Sequence, residues 1–290
     1  MKQLKCKRQK SSMTFSELTK RLNPLDDSQI KWILKELILF NSKIIENSSD
    51  IFFEKDTEID FEYKKILKQL NKVLNKNIPV QYITKSFSFY GLSFFIKKGC
   101  FVPRQETEYM LDWAVKQKKL IDKKYILDLC SGSGVLANTI SYIKKNKDAI
   151  VIGVEKNRTP YKVGVKNQRN LKLKTQFIKS DIFKIDRSHY EKCDFIICNP
   201  PYIDKNDPNV DPSTKCEPKQ ALFAPQNGYY FYFRFLSEIY PILANGTEII
   251  FEIGFNQKEE IEKFLIKNNI TVFKFLKDLD DKDRVLYIKK

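Results

Sequence analysis

From about residue 105 the chain alternates short apolar runs with amphipathic stretches, and this rhythm constrains its fold more than any other feature. TEYMLDWAVKQ reads as a helix, YILDL as a strand, GVLANTISYI as a helix and AIVIGVE as a strand. A helix through Tyr161 to Asn170, the short strand TQFI and the strand FIIC come next. A helix near YYFYFRFLSEIY, the strand TEIIFEIG and the helix QKEEIEKFLIKN follow, with ITVFKFL and RVLYIKK as terminal strands. Such alternation predicts an α/β fold: a parallel, doubly wound sheet with ligands at the C-terminal ends of its strands. The last two strands, joined by a short polar connection, predict an antiparallel edge.

Upstream the period is helical. In DDSQIKWILKELILF, Ile30, Ile33, Leu34, Leu37 and Ile38 recur at helical spacing behind Asp27 and Ser28 as candidate caps. In FEYKKILKQLNKVL, Ile66, Leu67, Leu70, Val73 and Leu74 do the same. With Phe15, Leu18 and Leu22 they predict a small helical bundle over residues 1–77. The stripes themselves are core; a bundle without reactive residues suits docking better than catalysis. Over residues 78–104 the period shortens. Phe87 and Phe89, then Leu92, Phe94 and Ile96, alternate around Tyr90-Gly91, which predicts a β-hairpin linker to the domain at 105–290.

Charge and cysteines bound the function. The 52 Lys and Arg outnumber the 36 Asp and Glu by 16, an excess that suits an anionic partner such as nucleic acid but also a basic surface of no special purpose. Charge alone decides nothing between them. Six cysteines (Cys6, Cys100, Cys130, Cys193, Cys198, Cys216) lack CxxC spacing, so no metal site is expected and they read as reduced thiols. MKQLKCKRQK leads into no apolar segment, and no apolar run approaches the roughly 20 residues that span a bilayer. A cytoplasmic protein is expected, with an organelle left open. His189, the only histidine, sits in the polar stretch DRSHYEK and reads as a surface residue without a catalytic part.

After the strand YILDL comes Asp128-Leu129-Cys130-Ser131-Gly132-Ser133-Gly134, then a helix. Gly132 and Gly134 allow a ligand close to the backbone, although a GxG turn alone is often only a tight turn. Glu155, 21 residues beyond Gly134 and at the end of the next strand, sharpens the signal, because a carboxylate there can accept both hydroxyls of a ribose. The turn lacks the full GxGxxG pattern and a Walker lysine, which argues against a pyrophosphate. A nucleoside without phosphates fits better, and S-adenosyl-L-methionine is the obvious one. Asp181, after TQFI, can then meet the adenine amino group, and Ile182 can cover the ring.

The strand FIIC ends on Asn199-Pro200-Pro201-Tyr202. Neither proline has an N–H for a sheet ladder, so the strand stops there. The Asn199 carbonyl can accept one N–H of a planar amino group and the Pro200 carbonyl the other, which aims the nitrogen lone pair at a sulfonium methyl. The prolines fix that carbonyl cheaply, and Tyr202 can pack against a flat substrate. A planar nitrogen is a poor nucleophile, so positioning carries much of the catalysis, and no general base is obligatory.

The order DLCSGSG, Glu155, Asp181, NPPY resembles methyltransferases that use S-adenosyl-L-methionine to modify planar nitrogens, with the class I Rossmann-like sheet. PVQYI, FYGLSF, VPRQETE, NPPYI, CEPKQAL and EIGFNQ are similar to the HemK/PrmC-type release-factor glutamine methyltransferases over roughly residues 79–290. That resemblance implies methyl transfer to N5 of the glutamine in the Gly-Gly-Gln motif of peptide chain release factors, giving N5-methylglutamine and S-adenosyl-L-homocysteine and modulating translation termination. By position it implies that Cys130, Ser131, Gly132, Ser133, Gly134, Glu155, Ile182 and Asn199 hold the cofactor. Asn199, Pro200, Pro201 and Tyr202 would grip the glutamine, with Arg104 and Thr107 as the floor between the ligands. The helical domain would hold the release factor. Cys130 stands where the family usually has Gly, Glu155 where Asp is commoner, and Ile182 where an aromatic is frequent. A ribosomal-protein glutamine is the alternative acceptor. The rivals of another kind are a nucleic-acid amino methyltransferase and a basic RNA-binding protein that kept only the scaffold.

Overall fold

The computed structural model describes residues 11–23, 27–42, 58–145, 148–208, 210 and 212–290. Cys6 and the basic stretch 1–10 lie outside the described residues. The chain divides into two compact units, Met1–Lys85 and Ser86–Lys290.

In the first unit, strand β1 (Ser11–Thr14) leads into helix α1 (Phe15–Leu22). Thr14 caps α1: its hydroxyl accepts from Glu17 N at 3.1 Å while Glu17 accepts from Thr14 N at 2.9 Å. Helix α2 (Ser28–Ser42) starts on Asp27, whose carboxylate accepts from the amides of Gln29 and Ile30. Strand β2 (Glu58–Phe61) pairs antiparallel with β1 and leads to α3 (Tyr63–Lys76) and α4 (Val80–Thr84). Leu18, Ile33, Leu34, Leu37, Ile38, Ile66, Leu70 and Val80 form one core. The stripes are therefore core as read, except that Leu67 and Leu74 are exposed; the side chain of Phe15 is outside the described ones. The β1–β2 ladder and α4 are absent from the sequence reading. SSMT and EIDF are too short and polar to announce strands, and they pair across more than forty residues.

The second unit opens with the hairpin β3 (Ser86–Phe89) and β4 (Leu92–Phe95), turning through Tyr90 and Gly91, both at positive φ. Phe89 and Phe94 are buried in the same core as Met110, Leu111 and Ile140. That packing puts the hairpin inside this unit, and the division falls after Lys85, not at a linker over 78–104.

Helix α5 (Gln105–Lys116), β5 (Tyr125–Leu129), α6 (Val135–Ile143), β6 (Ile150–Val154), α7 (Arg158–Asn170) and β7 (Gln176–Ile178) follow. Then come α8 (Arg187–Glu191), β8 (Phe195–Cys198), α9 (Tyr230–Glu238), β9 (Glu248–Glu252), α10 (Lys258–Lys267), β10 (Phe273–Lys277) and β11 (Asp283–Lys289). Seven strands make one sheet in the order β10-β11-β9-β8-β5-β6-β7. β7, β6, β5, β8 and β9 run parallel, and β11 and β10 close the far edge antiparallel. β8 and β9 are buried along their whole length, as expected where helices cover both faces of a parallel sheet. The strand order reverses between β5 and β8, which makes the C-terminal ends of these two neighbours the switch point where such sheets bind ligands.

Candidate active site

Strand register assembles the site. Leu129 pairs with Val154 on one side and Cys198 on the other, so Cys130, Glu155 and Asn199 are each the first residue past an aligned strand end. They line one cavity of about 840 Å³, together with Ser131, Gly132, Ser133, Thr107, Asp181, Ile182 and Pro201.

At one end the wall is main chain. Cys130, Gly132 and Gly134 have φ of 57°, 58° and 77°. A Cβ on Gly132 would meet nothing closer than 3.9 Å, whereas one on Gly134 would come within 2.7 Å of the Phe177 ring and 2.9 Å of Gly164 Cα. Gly132 thus leaves room on the cavity side, and Gly134, absent from the lining, lets α6 pack against α7. The left-handed geometry at Cys130 gives a physical reason for Gly at this position, since it costs other residues about 1–2 kcal/mol. The Glu155 carboxylate accepts from Gly132 N at 2.9 Å and Asn157 N at 2.6 Å. Burial raises its pKa against the pull of those two amides. Beneath the turn, Asp128 is fully buried, accepts from Ser131 Oγ and Ala137 N, and keeps Oδ1 without a partner. Burial pushes its pKa up to about 7. Asp181 pairs with Lys156 at 2.9 Å and caps its own turn through Phe183 N. Those bonds outweigh its partial burial and lower its pKa.

At the other end the wall is held by side chains. Asn199 Nδ2 donates to Thr107 Oγ1 at 2.9 Å, and Thr107 Oγ1 donates to Glu252 Oε2 at 2.6 Å. Tyr202 donates its hydroxyl to Glu252 Oε1 at 3.0 Å, and its main-chain carbonyl accepts from Gln257 Nε2 at 3.0 Å. Gly228, at φ +90°, lets the chain pass over Tyr202, because a Cβ there would lie 2.1 Å from the Tyr202 carbonyl oxygen. Full burial raises Glu252 to about 7 even though Thr107 and Tyr202 donate to it.

The sequence-derived candidates therefore separate. Pro200 is buried, and Tyr202 points its hydroxyl at Glu252; neither lines the cavity. Arg104 is also outside the lining: it bonds the Val102 carbonyl, pairs with Glu217 and stacks on Phe101 at 5.1 Å. Glu217 further accepts from Val102 N at 3.0 Å, so CEPKQAL is tied to VPRQETE. His189 is half-buried rather than a plain surface residue, because its Nδ1 and the Tyr125 hydroxyl lie 2.6 Å apart. Cys100, Cys193 and Cys198 are buried, and burial pushes the first two thiols up to about 12.

A family model described as methyltransferase small domain matches residues 107–215. A release factor glutamine methyltransferase of Clostridium botulinum is 33% identical over 239 residues, 81% of this chain and 84% of the relative. One of Mycoplasma mycoides is 34% identical over 269 residues, 86% of this chain and 95% of the relative. The chain belongs to the release factor glutamine methyltransferase family. Among solved structures, a methyltransferase from Pyrococcus furiosus superposes with a TM-score of 0.51 at 16% identity, covering 79% of this chain and 99% of that one. The T. thermophilus 16S rRNA N2 G1207 methyltransferase, in complex with AdoMet and guanosine, gives 0.50 at 20% identity over 71% of this chain and 49% of that one. These two likenesses bear on the fold, which is that of the α/β methyltransferases.

Sequence reasoning did not single out Glu252 or Lys156. Glu252 opens EIGFNQ, and a carboxylate closing an apolar strand run was the available signal. Lys156 follows Glu155 and carries no signal apart from its place in the cavity wall. Among the described residues no helix is long and apolar enough to cross a membrane.

Proposed function

We propose that this chain transfers a methyl group from S-adenosyl-L-methionine to N5 of the glutamine in the Gly-Gly-Gln motif of a peptide chain release factor. The observation that carries the reading is the shared cavity, with Glu155 and the glycine turn at one end and Asn199 at the other. The fit is good: a roomy cavity, a turn open on the Gly132 side and a buried carboxylate with lone pairs to spare. Glu155 would hold the ribose hydroxyls, Asp181 the adenine amino group and Ile182 one ring face. Cys130, Ser131, Gly132 and Ser133 would line the remainder. Bound there, the cofactor supplies an electrophilic methyl group on a sulfonium.

The protein's part is orientation. Asn199 accepts one N–H of the glutamine amide, and the Pro200 carbonyl, which belongs to the peptide group of the lining residue Pro201, accepts the other although the rest of Pro200 lies behind the wall; this holds the nitrogen in line and leaves its lone pair free. Pro201 and Thr107 shape the wall beside it, while Tyr202 and Arg104 act from behind. The N-terminal unit, Met1–Lys85, docks the release factor, and the enzyme works in the cytoplasm on a protein rather than mainly on nucleic acid.

Incubation of a release factor with the enzyme and the cofactor should add one methylene mass to the peptide carrying Gly-Gly-Gln, located by peptide mapping. Label entering only nucleic acid, with the peptide unmodified, would overturn the reading.

A further inference from the structure

We propose that Glu252 is the positioning residue of the acceptor end, setting through Thr107 which way round the Asn199 amide stands. The inference rests on the reading of Asn199 as the acceptor of the substrate amide. A carboxylate is acceptor-only, so an ionised Glu252 requires the Thr107 hydroxyl to donate to it. With its one proton committed, Thr107 can only accept from Asn199, and it is Nδ2 that faces it at 2.9 Å. The planar amide then presents Oδ1 on the opposite side from Thr107, as an acceptor for the substrate N–H. The second carboxylate oxygen accepts from Tyr202, tying the last residue of the tetrad to the same group.

Protonation reverses the relay. A protonated Glu252 can donate to Thr107, freeing the Thr107 hydroxyl to donate to Asn199 Oδ1. The amide then turns its NH₂ toward the substrate N–H, donor against donor. Glu252 is held from several sides. Thr107 and Glu106 come from α5, Tyr202 from the loop after β8, Cys198 from β8 and Arg284 from β11, while Tyr232 of α9 donates to the Glu252 main-chain carbonyl at 2.7 Å. Of the charged neighbours, Arg284 favours the ionised form and Glu106 opposes it. Burial dominates, so the carboxyl titrates at about 7, within the working range of an enzyme.

The test is steady-state methylation of a release factor by the full chain, as a function of pH from about 5 to 9, with cofactor affinity measured by calorimetry. Thr107→Val, Thr107→Ser and Glu252→Gln are compared with the wild type. The wild type should lose kcat on the acid side through the Glu252 titration. Thr107→Val should lower kcat on the order of 10²-fold, keep cofactor affinity within about twofold and lose that acid limb. Thr107→Ser, which keeps the hydroxyl, should recover most of kcat and the limb with it. Glu252→Gln should lower kcat in the same way. If Glu252→Gln does not fold, the two Thr107 variants decide alone, because they leave the carboxylate in place. An acid limb that survives in Thr107→Val, or a loss confined to the KM for the cofactor, overturns the relay. A wild type that never methylates the release factor overturns instead the functional reading beneath it.

Discussion

At the end of the cavity proposed for the cofactor the wall is main chain, with a turn rich in left-handed residues and a Glu155 carboxylate clamped by two backbone amides two and twenty-three residues away. At the end proposed for the acceptor it is a relay of side chains, Asn199 to Thr107 to Glu252, gathered across 92 and 145 residues of sequence. The two constructions should fail differently. Damage to the relay should slow transfer and leave binding alone; damage to the turn should cost affinity or stability and leave the chemical step alone.

Asn199→Ala gives the largest expected effect. Loss of one preorganised hydrogen-bonding group at a reacting centre costs on the order of 10²–10³ in kcat. Cofactor affinity by calorimetry should stay within a few-fold; a comparable loss in affinity would mean that the two ends are one structure after all. At the other end, Glu155→Gln keeps the shape and removes the charge. Hydrogen bonds to charged groups are worth about 1.5–3 kcal/mol, so cofactor affinity should fall about 10- to 100-fold with kcat at saturation nearly unchanged.

The contrast also accounts for what the sequence revealed. DLCSGSG and Glu155 were legible because their chemistry is local: glycines, a strand end and a carboxylate one βα unit on. NPPY was legible for the same reason, since strand arrest by prolines is a near-neighbour effect. What a residue does inside a motif was less legible. Tyr202 and Arg104 share motifs with cavity residues, yet their hydrogen-bonding atoms go to Glu252 and Glu217, partners that only the tertiary fold supplies. Glu252 lay hidden because its partners come from α5 and the loop after β8. In the first unit the long amphipathic helices were plain, whereas β1 and β2 exist only through each other.

Within the turn, the two glycines separate packing from ligand space. Gly134→Ala forces a Cβ onto Phe177 and the Gly164 backbone at a positive φ, and should cost about 1–3 kcal/mol, read as a fall in Tm. Gly132→Ala meets open space and should cost only the strain of its φ, so a larger fall in Tm at Gly132 would invert the assignment.

The two ends share one electrostatic trait: Asp128 beneath the turn and Glu252 beneath the relay are both raised by burial to about 7, from ordinary values of 3.8 and 4.5. A carboxyl whose folded pKa exceeds its unfolded one binds more protons when folded, so its contribution to stability falls as pH rises from about 4 to about 7. Glu248 is the opposite case. Burial pushes it up, but hydrogen bonds from Tyr287, Lys119 and Lys123 outweigh that and hold it at about 2. Its contribution is complete above 4.5 and is lost only as pH falls toward 2. Between pH 5 and 7 the buried pair's contribution to Tm should therefore decline while activity climbs. Glu252→Gln should flatten both slopes, and Asp128→Asn only the first.

The smallest effect tests the turn residue that carries a side chain on a left-handed backbone. Cys130 holds φ 57° with a side chain, at about 1–2 kcal/mol, and Cys130→Gly removes that strain. Glycine loses more backbone entropy on folding, roughly 0.5–1 kcal/mol, so the two changes nearly cancel. Stability should move by less than about 1 kcal/mol, with cofactor affinity unchanged, because the turn is shaped by backbone. Cys130→Val should behave otherwise, since a β-branched side chain tolerates a left-handed backbone poorly and lies at the edge of the core that holds Cys198. If the glycine variant loses several kcal/mol, the thiol is contributing packing that backbone geometry does not capture. The cofactor end would then depend on a side chain from the next strand, as the acceptor end does.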